Sequence, residues 1–176
     1  RAESNLFLRN INLTMNTIHN FNARKLFVSV GICELAGVVG AFFTIPAISS
    51  WYSLLNKPAF MPPSWFFPPT WVILYLLMGI GLYIVWCKGF EKPEVRNAMR
   101  IFAVQLFLNI LWPLIFFGNR NIGVGLACII ALWIAVALSV VEFGRISRKA
   151  AVFLFPYLVW VSFAFFLNYA FWVLNP

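Results

Sequence analysis

Long apolar stretches alternate with short polar ones along the chain, at about 26–48, 69–88, 98–117, 121–143 and 150–173. Each supplies the roughly 20 residues an α-helix needs to cross about 30 Å of hydrocarbon. Backbone polar groups in lipid must pair within their own segment, so these runs are expected as helices. The pattern predicts an all-α integral membrane protein, a five-transmembrane-helix bundle forming one domain over residues 25–176. Residues 1–24 form a polar segment with Arg1, Arg9, His19, Arg24 and several asparagines. It lacks an apolar run before small residues and does not resemble a signal peptide. Met15 offers an internal start, which would make residues 1–14 an addition to the natural chain.

The basic residues support this division. Arg1, Arg9, Arg24 and Lys25 precede the first run; Lys88, Lys92, Arg96 and Arg100 separate the second from the third; Arg145, Arg148 and Lys149 separate the fourth from the fifth. Only Lys57 and Arg120 fall on the other side, so eleven of the thirteen lie together. The positive-inside rule then places the N-terminus in the cytoplasm. Miscounting by one helix would destroy the asymmetry.

Composition narrows the chemistry. Apolar residues make up 62% of the chain and charged ones 10%, against about 25% charged in a soluble domain. The solvent for most of the chain is therefore lipid. The net charge of +8 is accounted for by the ends of the spans and calls for no nucleic-acid partner. There is no Asp, and His19 is the sole histidine. A Ser-His-Asp site is excluded, and no clustered zinc ligands are present. Cys33, Cys87 and Cys128 are scattered and odd in number, so no disulfide frame or metal site is expected. No Gly-rich phosphate loop followed by Lys occurs, and no cofactor is expected.

The stretch Pro46–Pro69 holds six of the ten prolines, with Trp51, Tyr52, Phe60, Trp65, Phe66 and Phe67. Proline restricts the free chain, so this reads as a stiff cap over the bundle mouth. An interfacial aromatic anchor fits the same residues. On the third run, Gln105, Asn109, Trp112 and Phe116 share a helix face; on the fifth, Tyr157, Trp160, Ala164 and Asn168 do. The second run adds Trp71, Tyr75 and Met78. Amides are costly in lipid, so these faces point inward. They can line a cavity for a flat aromatic guest or pair across helices as glue. Pro113 and Pro156 are expected to bend their helices.

Gly123, Ala127, Ala131, Ala135 and Ser139 form a small-residue stripe on the fourth run, suited to a neighbouring helix or a second copy. Glu34 is the one carboxylate deep in an apolar run. It fits a neutral, hydrogen-bonded side chain or a cation path.

Three motifs carry a family resemblance. The first is Trp51-Tyr52, Leu55, Lys57-Pro58, Phe60, Pro62-Pro63, Trp65, Pro69, Trp71, Leu74-Tyr75, Met78-Gly79. The second is Gln105-Leu106, Leu108-Asn109, Trp112-Pro113, Phe116-Phe117-Gly118, and the third is Pro156-Tyr157, Trp160, Phe163-Ala164, Leu167-Asn168-Tyr169. Together they resemble the tryptophan-rich sensory protein family, also called the translocator or peripheral benzodiazepine receptor family, over about residues 30–175. Cys33-Glu34-Leu35-Ala36-Gly37 resembles its bacterial and plant members, which favours a bacterial membrane; eukaryotic relatives occupy the mitochondrial outer membrane.

The resemblance implies a five-helix bundle, often a homodimer, binding tetrapyrroles such as protoporphyrin IX or other hydrophobic small molecules. Its ligand residues carry over to Trp71, Tyr75, Asn109, Trp112, Trp160, Ala164 and Leu167, with Trp51 and the Pro62-Pro63 turn in the lid; Phe116, on the same face of the third helix, joins the ligand set, and Lys57 the lid. Carboxylates of a bound porphyrin could face Lys57 or Arg120. The resemblance carries a sterol partner only weakly, because Leu167 and Tyr169 are followed by no base. An acidic residue near the start of the fourth helix in animal members is Cys128 here. With the family in view, an inward cavity leads over glue. The expected function is a membrane receptor or carrier with no catalytic residue. Two alternatives stand beside it: light- and oxygen-dependent porphyrin breakdown using Trp71 and Trp160, and ion-coupled export using Glu34.

Overall fold

A computed structural model describes residues 22–176; most of the polar N-terminal segment, with Arg1, Arg9, Met15 and His19, lies outside the described residues. Among the described residues, five helices are long and apolar enough to cross a membrane. They are α1 (Ala23–Ile48), α2 (Phe67–Trp86), α3 (Pro93–Pro113), α4 (Ile122–Ile146) and α5 (Arg148–Leu174). No strand occurs among the described residues.

Local chemistry sets the ends. Asn22 caps α1, its side chain accepting from the Lys25 amide at 3.0 Å, and Asn121 caps α4 through the Val124 amide at 2.9 Å. Helices α2 and α3 carry proline in the first turn, where its missing N–H costs nothing. The largest departure from expectation is the start of α3, at Pro93 rather than near 98. Its first turns are polar, so the apolar pattern missed them, and Arg96 lies on the helix rather than before it. At its far end α3 widens into a π-type turn over Leu114–Gly118, closed by the Asn119 amide donating to the Leu114 carbonyl at 2.8 Å. Pro113 supplies no N–H there, so the backbone pairing shifts by one residue. Pro156 lies within α5.

Helix α1 packs on α2, α4 on α5, and α3 on α1 and α4. Close approach is set by small residues, as expected where lipid supplies no hydrophobic drive between helices. A Cβ at Gly79 would stand 2.5 Å from the Val30 Cα, and one at Gly40 would stand 3.1 Å from Pro113 Cγ. The stripe on α4 behaves differently. Ala135 and Ser139 are buried in the bundle, whereas Gly123, Ala127 and Ala131 are exposed. Fourth positions drift by about 40° each on a 3.6-residue helix, so five of them sweep from lipid to core.

The two ends of the bundle differ. Apart from Lys57 and Arg120, the described basic residues gather at one end, where Lys25 lies over the Trp86 ring at 5.4 Å and Arg145 pairs with Glu142 at 2.5 Å. The long 49–66 connection covers the other end. It contains a turn at Pro58–Met61 and short helical turns at Tyr52–Leu54 and Ser64–Phe66. The expected Pro62-Pro63 turn is instead an extended link between them, with Pro63 at ψ 143°. The lid is clasped to the end of α5. Asn56 N donates to Asn175 Oδ1 at 2.9 Å, Asn56 Nδ2 to the Leu174 carbonyl at 3.2 Å, and Asn175 Nδ2 back to the Asn56 carbonyl at 3.1 Å.

Candidate functional site

Beneath the lid, the inward side chains of α2, α3 and α5 form two aromatic nests. The first is centred on Trp160. Trp71 meets it nearly edge-on, centroids 6.1 Å apart at 87°, with Phe67 at 5.9 Å, Phe66 at 6.0 Å and Phe163 at 5.6 Å. Trp71 in turn stacks on Tyr75 at 5.6 Å and 26°. The lid reaches this nest through Phe60, 6.4 Å from Phe163. The second nest is built on Phe116. Trp112 stacks on it at 5.1 Å and 24°, and Trp51 of the lid meets it at 5.8 Å. Tyr52 packs against Phe117 at 5.4 Å and Phe171 at 5.3 Å. Phe116 is 2% exposed and serves as the lid's seat.

The amides are engaged within the protein. Asn109 Oδ1 accepts from the Tyr75 hydroxyl at 2.5 Å, and its Nδ2 donates to the Tyr157 hydroxyl. One residue thus bridges α2, α3 and α5. Asn168 Oδ1 accepts from Trp112 Nε1 at 3.0 Å, and its Nδ2 donates to the Ile122 carbonyl at 3.2 Å. The interhelical pairing weighed from the sequence is therefore present at both asparagines. Trp160 is the exception: its Nε1 is buried and has no hydrogen-bond partner. Ala164 and Leu167 continue the same α5 face, half-buried and buried. Sequence reasoning missed Phe66, Phe67 and Phe163 as neighbours of Trp160. Phe66 and Phe67 stood out in the aromatic, proline-rich stretch and Phe163 in the third motif, but their common target was not visible.

Of the lid residues, Trp51 and Pro62 are half-buried and Pro63 is exposed. Lys57 places its Nζ over the Tyr52 ring at 5.6 Å. The Tyr52 hydroxyl donates to Met61 Sδ at 3.5 Å, and burial pushes this phenol up to about 12. Arg120 takes a left-handed conformation, φ 54°, just before α4. Glu34 is half-buried on α1 and makes no ion pair among the described residues. No cluster of potential metal ligands occurs among the described residues.

Five membrane-length helices with a lid closed over one end define a multi-pass integral membrane protein. Residues 29–173 match the TspO/MBR family, and the chain belongs to that family. It is 42% identical to the tryptophan-rich protein TspO of Chlorobaculum tepidum, over 86% of this chain and 96% of that protein. It is 45% identical to the protein of the same name from Archaeoglobus fulgidus, over 88% and 99%. The human translocator protein is 39% identical over 79% of this chain and 83% of its own length. Membership supports a membrane receptor or transporter role with a small hydrophobic ligand.

Proposed function

We propose that the chain is a membrane receptor or carrier for a flat, hydrophobic tetrapyrrole, with protoporphyrin IX as the reference ligand. One observation carries this reading: Trp160 combines an unpartnered, buried indole N–H with a ring of Trp71, Phe66, Phe67 and Phe163. A guest with a large π-face and an acceptor atom satisfies both features. Trp112, Leu167 and Ala164 extend the contact surface, and Phe60 and Trp51 cover it. Asn109 acts in this reading by holding Tyr75 and Tyr157 in place, since its own amide is already bonded. Lys57 and Arg120, at the lid end, attract the ligand's carboxylates. The basic end faces the cytoplasm. A second copy docks on the exposed small residues Gly123, Ala127 and Ala131.

Quenching of tryptophan fluorescence by protoporphyrin IX tests the site. Trp160→Phe, which deletes the N–H and keeps a ring, is expected to weaken binding about tenfold, the factor for roughly 1.4 kcal/mol. Trp71→Phe should weaken it less. Unchanged affinity in both variants would remove the assignment.

A further inference from the structure

Gln105 is the only glutamine in the chain. It lies on α3 one turn from Asn109 on the same face, toward the basic end of the bundle. Its side chain is 0% exposed, and neither Nε2 nor Oε1 has a hydrogen-bond partner. The other two inward amides have both ends bonded, as Asn109 does with Tyr75 and Tyr157 and Asn168 with Trp112 and Ile122. Of its buried neighbours along α3, Phe102 and Leu106 are apolar, and Asn109 already has both ends of its amide bonded. Leucine or methionine would fill a similar volume without leaving a dry amide. On α1, in the same half of the bundle, Ser29 is also 0% exposed with an unbonded hydroxyl. Burying an unpaired primary amide is costly enough that each such group in a native fold requires an explanation.

We propose that Gln105 anchors a second, small binding site on the basic side of the Tyr75–Asn109–Tyr157 bridge. Its guest is a neutral group that both donates and accepts a hydrogen bond. The amide dictates this chemistry, because Nε2 presents two N–H donors and Oε1 two lone pairs. An apolar guest satisfies neither atom, and an ion with no counter-charge is too costly to bury. Two sources carry the required chemistry. One is water, which protein interiors hold at about one buried molecule per 27 residues. The other is the protonated carboxyl of an amphiphilic ligand that has passed the bridge. The bridge separates this site from the aromatic nest at Trp160, so a guest at Gln105 is distinct from one stacked on the indoles.

A single glutamine makes the test direct. The full chain, labelled with side-chain ¹⁵N-glutamine and placed in bilayers, yields one amide resonance. Magnetisation transfer from water to Nε2–H is measured without ligand, with protoporphyrin IX and with its dimethyl ester. Transfer in the free chain that persists with both porphyrins identifies resident water. Transfer that is lost with the acid, together with a shift of the resonance, but retained with the ester identifies a carboxyl that replaces water. No transfer in the free chain, and no shift with either porphyrin, overturns the site. The ligand-free measurement does not depend on the porphyrin reading; if neither porphyrin quenches the indoles, that reading fails while the Gln105 result stands.

Discussion

Asn109 holds two phenols on one amide, and its replacement separates structural from binding roles. Asn109→Leu leaves the Tyr75 and Tyr157 hydroxyls without their bridge. Orphaned buried groups cost about 1–3 kcal/mol, so a lower melting temperature in detergent is expected; a wild-type melting point would mean that the bridge contributes nothing. Arg120 gives the opposite sign. Its φ of 54° suits glycine, and Arg120→Gly is expected to raise stability by up to about 1 kcal/mol in the same assay. At this scale the sequence disclosed that amides on α3 and α5 face inward, because lipid penalises them outside. It could not disclose that Asn109 and Asn168 have both ends bonded, since that depends on which groups of neighbouring helices come within hydrogen-bond reach.

Contacts between elements are where small residues matter. Gly79→Ala would push a methyl into the Val30 backbone, and such overpacking costs about 1–3 kcal/mol. Separation of α1 from α2 is the expected result, read as faster amide exchange along the α1–α2 contact. The lid clasp is testable in the same way. Asn175→Ala removes the acceptor of the Asn56 amide and the donor to its carbonyl. At about 0.5–1.5 kcal/mol for each of the two bonds, exchange at Asn56 should accelerate by roughly fivefold or more. Equal exchange rates would show that the aromatic seat under Trp51 and Tyr52 alone holds the lid. The spans themselves were legible in the sequence because hydrocarbon thickness fixes their length. The start of α3 was not, because Glu94, Arg96 and Arg100 interrupt the apolar pattern while remaining helical. Nor was the division of the aromatic faces into two nests, which follows from helix adjacency rather than spacing.

Across the whole molecule, charge asymmetry makes a topological prediction. Cys87 is exposed at the basic end, while Cys33 and Cys128 are buried. A membrane-impermeant maleimide is therefore expected to label Cys87 from the cytoplasmic side only; labelling from the opposite side would invert the orientation.

The clasp also makes the lid sensitive to anything joined beyond it. Asn175 is followed directly by Pro176, whose rigid ring passes strain to the asparagine with little slack. A bulky fusion or a tethering bead attached after Pro176 would act as a lever on the lid. An affinity handle placed there is expected to report a protein whose lid has been loosened from α5.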